Sequence, residues 1–109
     1  MELNKYQELA MVTRKPHPTK RDQVIDALLG IAGESGEVCD YMKKHFARGI
    51  PLDQDTLVKE LGDVLWYIAE ICDAYGIEMN HVAQRNIEKL SVRHGAAYKQ
   101  NDNRTGDGK

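Results

Sequence analysis

Apolar residues recur along this chain at helical spacing, and no segment alternates as a half-buried strand would. Val24, Ile25, Leu28, Ile31, Ala32, Cys39, Met42 and Phe46 share one stripe of the 3.6-residue period and predict a long helix that starts near Thr19, with this stripe as its core face. It should stop before "RGIPLD", where Gly49 and Pro51 mark a turn. A shorter helix precedes it: Asn4 is its predicted cap, Tyr6, Leu9, Ala10 and Met11 form its apolar side, and the prolines of "RKPHPTK" end it near Thr13. Asp53 or Asp55 should cap a third helix, "TLVKELGDVLWYIAEICDAYG", ending at Gly76 as a glycine C-cap predicts, and a fourth should run from about Asn80 to Arg93.

The third helix departs from a single stripe, since Leu61, Leu65 and Ile68 face one way and Trp66 and Ala69 another. A helix apolar on more than one side needs burial on more than one side, so a helix-mediated homo-oligomer is expected. After Gly95 the chain reads "AAYKQNDNRTGDGK", with too little apolar content to pack, and residues 96–109 are expected to be a mobile tail. The predicted fold is therefore an all-α bundle of four helices within residues 1–95, with helices two and three as an antiparallel central hairpin.

The two central helices carry features that local physics opposes. Gly30, Gly33 and Gly36 lie inside a helix, where each costs about 1 kcal/mol against alanine, and Glu34 and Glu37 repel from one face. Glu60 and Asp63 repeat the i, i+3 pairing on the third helix. Both pairs are mirrored about the Arg48–Gly49 turn, so an antiparallel hairpin sets them face to face within about one helical turn. Four carboxylates so held must raise their pKa values or bind a cation, and oxygen-only donors suit Mg²⁺ or Mn²⁺. A di-iron bundle needs two ExxH motifs within helices, whereas Glu78 to His81 falls at a helix junction. A single ExxE is usually a solvated face; two mirrored pairs beside glycines favour a metal.

Basic residues indicate what that metal serves. Asn86, Lys89 and Arg93 share a face of the fourth helix, and Lys43 and Lys44 follow the first acid pair. Metal beside a Lys/Arg stripe suits a polyphosphate.

Composition narrows the classes. A 109-residue chain, 41% hydrophobic and 29% charged, fits one soluble globular domain, and a net charge of -2 leaves no electrostatic footprint for nucleic acid. No apolar run approaches the roughly 18 residues of a membrane span, and "MELNKYQELA" has no signal-peptide core, so a cytoplasmic protein without a membrane partner is expected. Cys39 and Cys72 sit in apolar helical patterns away from other ligands and read as buried reduced thiols.

The segments "GIAGESGEVCDYMKK", "KELGDVLWYIAEICDAYGI" and "NIEKLSVRHG", in this order and spacing, resemble the MazG-like nucleotide pyrophosphohydrolases of the all-α NTP pyrophosphatase superfamily. The resemblance covers most of residues 28–95. It implies a helical protein that assembles as a dimer or tetramer and cleaves a nucleoside triphosphate between the α and β phosphates to give a monophosphate and pyrophosphate. It implies Glu34, Glu37, Glu60 and Asp63 as Mg²⁺ ligands; a metal-bound water then needs a base, and one acid of the first pair, Glu34 before Glu37, is expected to orient or deprotonate it. Asn86, Lys89 and Arg93 match positions that hold phosphates or ribose, and Tyr67 matches an aromatic that lines the nucleotide pocket. Many relatives read EExxE and EExxD, whereas Gly33 and Lys59 stand at those extra acid positions here. The first 27 residues match less sharply, which leaves base-recognition positions such as Tyr6 or His17 unassigned. The alternatives are a phosphohydrolase of the same superfamily acting on phosphoribosyl-ATP, a deoxyuridine nucleotide or an alarmone, and a helical interaction module without catalysis.

Overall fold

A computed structural model describes residues 1–95, and the predicted tail lies outside the described residues. Four helices follow one another: α1 (Leu3–Met11), α2 (Lys20–Arg48), α3 (Gln54–Ala74) and α4 (Met79–Arg93). No strand occurs among the described residues. None of these helices is long and apolar enough to cross a membrane.

The helix ends follow local chemistry. Thr19 caps α2 by accepting from the Asp22 N–H, and Asp53 caps α3 by accepting from the Asp55 N–H and the Thr56 hydroxyl. Gly49 closes α2 in the left-handed conformation, at φ 67°. One cap differs from expectation: Glu2, not Asn4, caps α1 by accepting from the Lys5 N–H. Asn4 instead exchanges two hydrogen bonds with Asn80, each backbone N–H donating to the other's side-chain oxygen at 3.0 and 2.9 Å. With Gln7 accepting from the Met79 N–H and donating to Ile77 O, this pair satisfies the start of α4 and fastens it to α1.

The dominant packing is α2 on α3, with α1 laid across α3 and α4 held chiefly by α1. Gln23 donates to Glu70 O at 3.1 Å and to Asp73 Oδ2 at 3.0 Å, while the Tyr41 hydroxyl bonds the Asp53 backbone. The face that α2 turns to α3 is not its apolar stripe. It consists of buried Gln23 and Ala27, then Gly30 and Glu34. Of the stripe, only Val24, Ile31 and Met42 are half-buried, whereas Ile25, Leu28, Ala32, Cys39 and Phe46 are exposed. The reason is steric: a Cβ at Gly30 would overlap the Tyr67 ring, so the small residues admit α3 at close range and the large ones are left outward.

Ala10, Ala69, Cys72 and Met79 form the buried core, supported by half-buried Leu3, Tyr6, Met11, Leu65, Trp66 and Ile68. Large apolar side chains stay outside it, including Leu29 at 70% and Phe46 at 77% exposure. Cys72 is buried as expected, its thiol pushed up by burial, but Cys39 is exposed on the outward stripe.

Candidate functional site

The packing of α2 on α3 brings one acid from the first pair together with both acids of the second. Carboxylate oxygens of Glu34, Glu60 and Asp63 lie within 4.8 Å of one another. Glu34 and Glu60 are half-buried and Asp63 is exposed. Glu37 stands outside this group, exposed on the next turn of α2. The crowding raises the Glu34 carboxyl above its usual range, first by desolvation and then through the charges of Asp63, Glu60 and Glu37. Excess negative charge with oxygen-only donors fits a hard divalent cation.

Aromatic rings wall the cluster. A cavity of about 300 Å³ is lined by Glu34, Asp63, Trp66 and Tyr67. The Trp66 indole donates to Ala10 O at 3.1 Å and to the Thr13 hydroxyl at 2.9 Å, which fixes it against the end of α1. Tyr67 meets Trp66 edge-on, with centroids 5.0 Å apart, and lies against Gly30. Tyr6 also faces this side, and its hydroxyl is raised by burial and by the Asp63 charge. Of the three glycines inside α2, Gly30 is explained by Tyr67, while a Cβ at Gly33 or Gly36 would meet nothing within 4 Å among the described residues.

The basic residues are placed elsewhere in the single chain. Asn86, Lys89 and Arg93 line a groove of about 600 Å³ on α4 with Arg85 and three apolar or acidic neighbours. Because α4 is anchored mainly to α1, this stripe does not join the acids within one chain. Lys43 is exposed on α2, and nine residues beyond Glu34 puts it about 13 Å further along the helix.

A second constellation lies beyond Tyr67. His17, Asp26 and Glu70 offer donor atoms within 4.8 Å of one another. The His17 Nε2 is 3.6 Å from Asp26 Oδ2 and 3.9 Å from Glu70 Oε2. Glu70 is fully buried, and its carboxyl is pushed up to about 7, by burial first and then by Asp26 and Asp73 against a lowering by Arg14. Asp26 lies eight residues before Glu34, and Glu70 seven after Asp63, so each repeats its helix face two turns along. That spacing was the signal for the second cluster in the sequence.

Comparison with known proteins bears on the first cluster. The MazG nucleotide pyrophosphohydrolase domain matches residues 23–97, most of the chain and both acid-bearing helices. The chain belongs to the MazG family. A protein called Gene 37 protein, from Mycobacterium phage L5, is 36% identical over 69 residues, which is 60% of this chain and 60% of that protein. The alignment thus spans less than two thirds of the relative's length. No solved structure matches the chain significantly. The all-helical architecture of the described residues agrees with this membership.

Proposed function

We propose that this MazG domain, carried by residues 1–95, is a Mg²⁺-dependent hydrolase that cleaves a nucleoside or deoxynucleoside triphosphate between its α and β phosphates. The observation that carries the reading is the convergence of Glu34, Glu60 and Asp63 beside an aromatic-walled cavity. These three side chains would hold the ion, with Mn²⁺ an acceptable substitute, and Glu37 completes the set from the adjoining turn. Bound there, Mg²⁺ offsets negative charge on the phosphates and makes water more acidic. Glu34, which neighbours both Glu60 and Asp63, would orient the attacking water and take its proton. Tyr67 and Trp66 offer faces for a base or ribose.

The assembly follows from what one chain leaves unmade. We infer that α2 and α3 run antiparallel, supported by the contacts of Gln23 with Glu70, Gly30 with Tyr67, and Tyr41 with Asp53. The outward stripe of α2, with Ile25, Leu28, Leu29 and Phe46, together with exposed Val58 and Leu61 of α3, then supplies the contact between copies of a homo-oligomer. In such an oligomer Asn86, Lys89 and Arg93 reach phosphates held by the acids of another copy, with Lys43 at the margin. Mixing Asp63→Ala and Lys89→Ala subunits tests this. Shared sites restore pyrophosphate release in the mixture; sites built within one chain leave the mixture as inactive as its components.

A further inference from the structure

We propose that His17, Asp26 and Glu70 form a second cation site, chemically distinct from the Glu34 cluster and suited to a divalent transition-metal ion of the zinc type. The cluster is more than a group of acids. Glu70 is fully buried, and neither of its carboxylate oxygens has a hydrogen-bond partner among the described residues. A buried carboxylate left in this state costs several kcal/mol unless something positive reaches it. A proton shared with Asp26 would satisfy one Glu70 oxygen and leave the other, and the buried His17 Nδ1 also lacks a partner.

The geometry fits one ion. Metal–ligand bonds of about 2.1 Å place neighbouring donors about 3.0–3.5 Å apart around a four- or six-coordinate ion. Here the imidazole nitrogen lies 3.6 and 3.9 Å from the two carboxylate oxygens, within a few tenths of an ångström of that spacing, and all three donor atoms lie within 4.8 Å of one another. The adjoining cavity, about 250 Å³ and lined also by Thr13, Lys15, Trp66 and Tyr67, has room for water ligands. One nitrogen with two oxygens selects differently from the oxygen-only cluster, since imidazole favours Zn²⁺ over Mg²⁺.

The backbone prepares the nitrogen donor. His17 stands between Pro16 and Pro18, whose rings restrict the chain on both sides, so little freedom remains to lose when the imidazole is held. Glu70 is buried on α3, while Asp26 of α2 keeps 49% of its side chain exposed. With no acceptor for the opposite ring nitrogen, the site should bind more weakly than a structural zinc centre.

The test measures metal binding alone. Chelator-stripped protein carrying Glu34→Gln and Asp63→Asn, which silence the first cluster, is dialysed against Zn²⁺ with excess Mg²⁺, and retained zinc is counted. We expect one zinc per chain, an X-ray absorption signature with one imidazole, and at least tenfold weaker retention on adding His17→Gln or Glu70→Gln. Asp26→Asn, at an exposed position, gives the same answer should Glu70→Gln fail to fold. Zinc retention unaffected by these changes, or no retention above a control lacking His17, overturns the proposal. The experiment does not involve nucleotide turnover, so its outcome is independent of the hydrolase reading.

Discussion

The two acid clusters occupy the same helix faces, about 11 Å apart along α2 and α3, yet their surroundings differ in almost every respect. The Glu34 cluster is open, oxygen-only and bordered by exposed Asp63, so water screens much of its repulsion. The Glu70 cluster is built on a fully buried carboxylate and includes a histidine, and burial dominates the energetics of Glu70. Trp66 and Tyr67 line both cavities and form the wall between them. The difference teaches that helix register sets where acids meet, whereas burial and the third partner decide what they can hold.

The largest expected effect breaks the comparison at its open end. Asp63→Ala should lower kcat/KM for pyrophosphate release by at least about 10³-fold, because on the proposed reading Asp63 would help hold the ion that offsets phosphate charge, and its loss would forfeit several kcal/mol of transition-state stabilisation. The loss should persist at saturating Mg²⁺; recovery at high Mg²⁺ would show that Asp63 only concentrates the ion.

The Glu70 cluster should respond to pH instead. In metal-free protein, Glu70 faces Asp26, Asp73, Arg14 and His17, and its folded-state pKa of about 7 exceeds the ordinary 4.5. The folded state therefore keeps a proton that the unfolded chain releases, so this contribution to stability is full below pH 4.5 and falls as pH rises to about 7. Glu70→Gln removes the dependence. Relative to wild type it should gain up to about 3 kcal/mol between pH 4.5 and pH 8 in denaturant titrations. Parallel pH profiles for the two proteins would count against a strained buried acid.

The wall between the clusters gives a smaller effect. Gly30→Ala drives a methyl group into the Tyr67 ring and should destabilise by about 1–3 kcal/mol, outweighing the gain in helix propensity. Gly33→Ala and Gly36→Ala, with open space around them in the single chain, should stabilise by up to about 1 kcal/mol. Destabilisation at Gly33 in the native oligomer would reveal a partner copy approaching the backbone there. Thiol labelling gives the smallest signal: Cys39 should react promptly and Cys72 only on unfolding.

Much of this was legible in the chain because caps, turns and i, i+3 pairs are local. Thr19, Asp53, Gly49 and the ELGD segment behave as their neighbours dictate. The core face of α2 was not, because the largest apolar stripe need not face the chain's own core. Ala27 and Gly30 admit α3 more closely, and the stripe is left outward. Asp26 and Glu70 escaped notice for a related reason: neither belongs to a short motif, and only their spacing from Glu34 and Asp63 aligns them. Glu37 shows the converse, a motif residue that the packing sets one turn outside the cluster.

The most direct test of the hydrolase reading is pyrophosphate release from the eight common NTPs and dNTPs with Mg²⁺, run beside Asp63→Ala and Glu37→Ala. The account predicts metal-dependent turnover of at least one nucleotide by the wild-type protein, lost in Asp63→Ala and reduced in Glu37→Ala. Turnover that survives Asp63→Ala, or none on any nucleotide with Mg²⁺ or Mn²⁺, would contradict it.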